Sequence, residues 1–226
     1  MLDFGYYNMD CMEGMAGFSD KYFDLAIVDP PYGQNYLNQI KNPNTKANWK
    51  IHKVKNWDIA PPDRKYFDKL KRISINQIIW GANHFINLIP YPSSCWVIWD
   101  KVQVFSLADF EMAWTSFKSP ARAFRYSRGE ATNDKKNWAI HPTQKPIALY
   151  RWLLQKYARP GDKLLDTHVG SASSLIAFEM EGYFDYVGFE IDVDYYRDSK
   201  NRLEQWRINR HPELFEVSEY RQAVNY

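Results

Sequence analysis

A mostly apolar run that stops on prolines constrains this chain more than any other feature. Phe23-Asp24-Leu25-Ala26-Ile27-Val28 is long enough for one strand and too short for a helix, and Asp29-Pro30-Pro31-Tyr32 follows at once. Proline donates no N–H, locks its own φ and holds the preceding residue extended, so neither a ladder nor a helix runs on through it. The run is expected to be a buried parallel strand that ends in a stiff turn. Ile75 to Gly81, Cys95 to Trp99, Lys163 to Asp166 and Tyr186 to Glu190 read as further strands. Between them, Pro146 opens an amphipathic helix with Ile147, Tyr150, Leu153, Leu154 and Tyr157 near one face, and Pro160-Gly161 ends it. A second helix follows Gly170-Ser171-Ala172-Ser173 and runs through Met180, and a third covers Tyr195 to Asn209. Glu111 to Phe117 and Ala121 to Tyr126 are expected to pair as an antiparallel hairpin. Alternating strands and helices specify an α/β fold with a mostly parallel sheet. The 226 residues suffice for one such core, so residues 1-226 are expected to form a single domain.

Net charge is only +2, but it is unevenly spread. Lys41, Lys46, Lys50, Lys53 and Lys55 fall in a polar stretch, 33–58, that reads as a long loop. Lys118, Arg122, Arg125, Arg128, Lys135 and Lys136 crowd residues 115–140. Two basic segments on a balanced chain suit a phosphate-facing surface, and duplex DNA is the expected partner. Two solvated loops would give the same pattern. The two cysteines, Cys11 and Cys95, make no disulfide framework, and no Cys/His cluster has zinc spacing, so no metal is expected. No secretory signal and no membrane span are legible, which leads to the expectation of a cytoplasmic protein.

Three constellations carry chemistry. Leu164-Leu165-Asp166 leads into Thr167-His168-Val169-Gly170-Ser171-Ala172-Ser173, and Glu190 ends the next strand twenty-four residues after Asp166. Small residues let a ligand approach the backbone, and an acid at the neighbouring strand tip can accept from ribose hydroxyls. The G-x-G-x-x-G pattern that cradles a dinucleotide pyrophosphate is missing, which speaks against a nicotinamide dehydrogenase. Asp29-Pro30-Pro31-Tyr32 can present the Asp29 carboxylate and the Pro30 carbonyl as two fixed acceptors, which suits an –NH2 group. His141-Pro142-Thr143-Gln144-Lys145-Pro146 is unusual, but its composition names no ligand.

Taken together, and in this order, these motifs resemble the DNA amino-methyltransferases that modify adenine N6 or cytosine N4. The catalytic-first, cofactor-last order is similar to the family's beta group. Trp80-Gly81-Ala82-Asn83-His84-Phe85, Cys95 to Lys101 and Phe110 to Thr115 resemble segments of phage and restriction-type members. The resemblance implies a Rossmann-like, circularly permuted fold dependent on S-adenosylmethionine, with transfer to N6 of adenine as the expected reaction. N4 of cytosine, another substrate such as RNA, or an inactive binding module are the alternatives. It implies that Asp29 and Pro30 hold the target amine, with Pro31 stiffening the turn, and that Tyr32 stacks on the flipped base. Asp166, Gly170 and Ser171 would contact the methionine part of the cofactor, Glu190 the ribose hydroxyls and Asp10 the region of the adenine, with Cys11, Ser173 and Asp192 also expected among the cofactor-binding residues. Asp29 borders that site, and Lys145 would help hold the cofactor region. A homodimer and a separate restriction endonuclease fit the family. His168 replaces the usual Phe and Ala172 a frequent Gly. No Pro-Cys pair is present, which argues against cytosine-C5 chemistry.

Overall fold

The computed structural model describes residues 2–33, 60–89, 91–102, 108–127, 130 and 144–210. Lys41, Lys46, Lys50, Lys53, Lys55, Arg128, Lys135, Lys136 and His141 to Thr143 lie outside the described residues.

The strands are β1 (Gly5–Asn8), β2 (Phe23–Val28), β3 (Ser74–Trp80), β4 (Trp96–Asp100), β5 (Phe110–Thr115), β6 (Arg122–Arg125), β7 (Leu164–Asp166) and β8 (Tyr186–Glu190). The helices are α1 (Cys11–Ala16), α2 (Arg64–Ile73), α3 (Ile147–Tyr157), α4 (Ser173–Met180) and α5 (Val193–Arg210). One sheet joins the strands in the order β1-β8-β7-β2-β3-β5-β4-β6. Every neighbouring pair is parallel except β3–β5 and β4–β5, so β5 alone among the described strands runs against the rest.

Alternation along the strands builds two cores. Leu25 and Ile27 of β2 face one side with Leu149, Leu153 and Leu154 of α3 and Leu175 and Phe178 of α4. Ala26 and Val28 face the other with Tyr66, Phe67, Leu70 and Ile73 of α2 and Met15 of α1. Successive side chains of a strand point to opposite faces, and here both faces are covered, so β2 reads as a continuous apolar run. The chain leaves β7 through α4 towards β8 and leaves β2 through α2 towards β3. The connections therefore diverge at the β7–β2 border, the topological switch point where open α/β sheets open a crevice at the strand tips.

The expected hairpin is corrected. Segment 111–117 does not pair with 121–126. β5 inserts between β3 and β4, with Ala113 opposite both Trp80 and Val97, while β6 lies parallel to β4 at the far edge. β1, α1 and α2 were not expected from the sequence. α2 carried a clear signal: Pro61-Pro62 precede Asp63, whose carboxylate caps the helix by accepting from Tyr66 N, and Tyr66, Phe67, Leu70 and Ile73 follow helical spacing.

Candidate active site

Beyond β2, the Asp29-Pro30-Pro31-Tyr32 turn lies at the switch point. Tyr32 donates its hydroxyl proton to Asp29 Oδ1 at 2.8 Å. Lys145, buried at the start of the chain into α3, donates to Asp29 Oδ2 at 2.5 Å and to the Tyr32 hydroxyl at 3.1 Å. The tyrosine oxygen thus accepts from a cation and donates to an anion, which fixes its proton and the plane of the Asp29 carboxylate. Lys145 Nζ also lies 3.2 Å from Glu111 Oε2, and Glu111 Oε1 lies 2.7 Å from Lys101 Nζ. Burial pushes the Tyr32 phenol well above its ordinary range, and Asp29 and Glu111 add to this, so the hydroxyl stays a neutral donor. Burial alone would raise the Glu111 carboxyl, but Lys145 and Lys101 outweigh it and hold it at about 2.

Gly81 makes room for this arrangement. Its φ is +68°, and a Cβ there would stand 2.0 Å from the Tyr32 ring. No side chain fits, and the left-handed conformation favours glycine independently. His84, one 3-10 turn later, stacks on the Tyr32 ring at 5.0 Å with an interplanar angle of 18°.

A cavity of about 360 Å³ adjoins the turn through Pro31. Asp10, Cys11, His168 and Glu190 line it from the β1, β7 and β8 tips, and Pro61, Pro62, Asp63 and Tyr66 close it from α2. Its carboxylates are held by backbone amides. Asp10 Oδ1 accepts from Met12 N at 2.6 Å, and Glu190 accepts from Gly170 N and Asp192 N, both at 2.9 Å. Asp192 in turn starts α5 by accepting from Asp194 N and Tyr195 N. Tyr66 and Thr167 share a hydroxyl hydrogen bond of 2.6 Å, and Thr167 Oγ1 lies 2.9 Å from His168 Nδ1. Burial lowers His168 to about 4, so its ring is neutral at physiological pH. Burial raises the Cys11 thiol to about 12, which makes it a poor nucleophile.

The expected site residues separate into two groups. Asp29, Pro31, Asp10, Cys11 and Glu190 reach the turn or the cavity wall. Asp166, Ser171 and Ser173 are buried beside it as scaffolding. Asp166 accepts from His168 N at 2.9 Å and Ser174 Oγ at 2.5 Å, and burial raises its carboxyl to about 7. Ser171 and Ser173 meet each other at 3.1 Å and receive Arg202 from α5. Lys145, expected with the cofactor residues, has its ammonium on the Asp29–Tyr32 turn. Sequence reading missed the α2 wall and Glu111. The Asp63 cap behind two prolines could have revealed the first; nothing local marks the second. Arg122 and Arg125 are exposed on edge strand β6, but at opposite ends of it, and Arg125 is paired with Asp100 at 3.0 Å.

Comparison with known proteins bears on the family and the fold. A family model described as DNA methylase, for N6 and N4 methyltransferases, matches residues 38–201, a segment that holds Lys145, Asp166 and Glu190 and begins just beyond the Asp29 turn. The type II methyltransferase M2.MboI of Moraxella bovis is 24% identical over 251 residues, covering 90% of this chain and 88% of that protein. The solved M1.HpyAVI–SAM complex superposes with a TM-score of 0.58 at 17% identity, covering 89% of this chain and 100% of that one. PvuII DNA methyltransferase, described as cytosine-N4-specific, gives 0.57 at 13% identity, covering 92% and 91%. Such low identities speak to the fold, and the family model, matched over well over half of the chain, to the lineage. The chain belongs to the N6/N4 DNA amino-methyltransferase family.

Proposed function

We propose that this DNA methyltransferase carries the methyl group of S-adenosylmethionine to N6 of adenine in duplex DNA. The observation that carries the reading is the Asp29–Pro30 turn, rigid, oriented by Tyr32 and Lys145, and set against the cavity through Pro31.

The cavity suits the cofactor. Its volume lies in the range of small-molecule sites, and its donor set favours a nucleoside without phosphates. Glu190 sits at a strand tip with its carboxylate aimed by two backbone amides, and each carboxylate oxygen can accept a further bond from a ribose hydroxyl. Asp10, Cys11 and His168 would line the rest, with Asp192 steadying Glu190. Asp166, Gly170, Ser171 and Ser173 would shape the loop at the methionine end. When bound, S-adenosylmethionine supplies an electrophilic sulfonium methyl.

The protein's own residues then have distinct tasks. An aromatic amine is a poor nucleophile because its lone pair is delocalised into the ring. The Asp29 carboxylate and the Pro30 carbonyl would accept its two N–H bonds, favour a tetrahedral nitrogen and free the lone pair, which is preorganised electrostatic catalysis. Tyr32 lies beside those acceptors, and a base extruded from the duplex would take the place of His84 on its ring. Asp rather than Ser at position 29 favours adenine by the family tendency. The same acceptors serve cytosine N4, and the fold shared with a cytosine-N4-specific enzyme keeps that second reading open. Arg122 and Arg125, with the lysines of 33–58, are the proposed phosphate contacts.

The test is transfer of labelled methyl from S-adenosylmethionine to unmethylated duplex DNA, with the product nucleosides separated. Label in N6-methyladenine is expected. Label in N4-methylcytosine would keep the mechanism and change the base.

A further inference from the structure

Asp29 is held by a buried cation that answers to a second carboxylate. An ammonium has three N–H donors, and three acceptors surround Lys145 Nζ: Asp29 Oδ2, the Tyr32 hydroxyl and Glu111 Oε2. Lys101 takes the other Glu111 oxygen. Charges alternate along Asp29, Lys145, Glu111 and Lys101, and they cancel. The mechanism above leaves Glu111 unused.

We infer that Glu111 is a positioning residue for Asp29: by sharing Lys145 it limits how tightly that ammonium holds Oδ2, and so keeps the carboxylate able to accept a target N–H. This rests on the role of Asp29 proposed above. A charge buried in a medium of low dielectric binds its counter-ion far more tightly than in water. With Asp29 as its only counter-charge, Lys145 would compete directly with the incoming amine. Positive charge also moves onto the amine nitrogen during transfer, and a pocket left with a surplus cation opposes that movement. Glu111 removes both penalties, provided it stays ionised. Burial disfavours the anion, but Lys145 and Lys101 keep its carboxyl at about 2. Lys145, against its own burial, is raised by Asp29 and Glu111 and stays charged. Among the described residues, the titratable groups facing this ammonium are Asp29 and Tyr32 beyond β2, Glu111 on β5, Lys101 beyond β4 through Glu111, and Tyr150 on α3, whose phenol burial pushes well above its ordinary range, Asp29 adding to the effect.

The experiment measures the single-turnover rate of methyl transfer at saturating DNA and S-adenosylmethionine for the full chain and for Glu111→Gln, Glu111→Asp and Lys101→Gln. Cofactor affinity is followed by calorimetry and folding by thermal melting. Losing one charge-assisted interaction is expected to slow Glu111→Gln about tenfold or more, with cofactor affinity unchanged and partial recovery in Glu111→Asp. Lys101→Gln leaves Glu111 to Lys145 alone and is expected to keep the wild-type rate or exceed it. A structural role alone would slow both variants alike. A folded Glu111→Gln with the wild-type rate would overturn the inference and leave the methyl-transfer reading standing. If Glu111→Gln does not fold, a Lys101→Gln slowed about tenfold or more overturns it. No transfer to DNA by the wild type, with cofactor bound, would overturn both.

Discussion

The two sides of the switch point hold their acids in different ways. On the β1-β8-β7 side, Asp10, Asp166, Glu190 and Asp192 accept from backbone N–H groups of the segments that follow β1, β7 and β8. On the β2-β3-β5-β4 side, Asp29 and Glu111 meet the side-chain cations Lys145 and Lys101. A carboxylate pinned by main chain has one geometry, because moving it means remodelling a loop. One paired with a long side chain can exchange partners by a rotamer change. The first arrangement suits a site that holds a cofactor of fixed shape. The second suits a site whose substrate arrives, reacts and leaves.

Asp29→Asn gives the largest expected effect and the hardest test of this contrast. It keeps the shape and removes the charge, and single-turnover transfer should fall about 10²–10³-fold, the scale of losing one preorganised polar group, while calorimetric affinity for S-adenosylmethionine holds. Glu190→Gln should do the reverse. Weakened charged hydrogen bonds should raise the cofactor dissociation constant about ten- to a hundredfold, with the rate at saturating cofactor largely kept. If Asp29→Asn abolished cofactor binding, or Glu190→Gln struck only the rate, the division of labour would be wrong.

A smaller effect concerns pH and stays on the main-chain side. Burial first, then Asp29 and Glu190, lifts the Asp166 carboxyl from 3.8 to about 7. That contribution to stability is present below 3.8 and is lost as pH rises towards 7. Burial lowers His168 from 6.5 to about 4. Its contribution is present above 6.5 and is lost as pH falls towards 4. The two slopes oppose each other, so urea midpoints of the wild type should vary little on their account between pH 4 and 7. His168→Phe should expose the Asp166 slope, with the midpoint falling as pH rises. Asp166→Asn should expose the other, with the midpoint falling as pH drops. Parallel profiles in both variants would contradict the opposition.

The smallest expected change is Ala172→Gly. Ala172 precedes α4 at φ +61°, where an L side chain costs roughly 1 kcal/mol or more and glycine nothing. Added freedom in the unfolded chain offsets part of that gain. The melting temperature should rise by a few degrees at most, and cofactor affinity should stay put. A clear drop would mean that the Ala172 methyl, buried in the core, contributes more by packing than its backbone costs.

Legibility followed how local each signal was. β2 and its turn were readable because proline acts on its own residue and its neighbours. β7, β8 and α3 were readable from apolar runs with breakers at their ends. The partner of β5 was not readable: Phe110–Thr115 says strand and nothing about which strands it joins, and proximity in sequence suggested Ala121–Tyr126 wrongly. In the site, the Asp29 turn, Asp10 and Glu190 could be chosen from motifs. That Lys145 would meet Asp29, 116 positions earlier, and that Gly81 must be bare for the Tyr32 ring, depend on contacts between distant segments.

The reversed direction of β5 has a consequence for where new chemistry can enter. Each parallel strand can offer the crevice only what stands at its exit, and those exits are already occupied by Asp29, Gly81, Asp166 and Glu190. β5 arrives at the same edge by its entrance, with Phe110 beside Asp100 and Glu111 beside Trp99. An acid delivered there is fixed before the strand begins to pair with β3, whose last residue, Trp80, is opposite Ala113. One inverted strand thus gives the crevice a side chain that no connection between parallel strands could supply, and a place to alter it without disturbing any loop that holds the cofactor side.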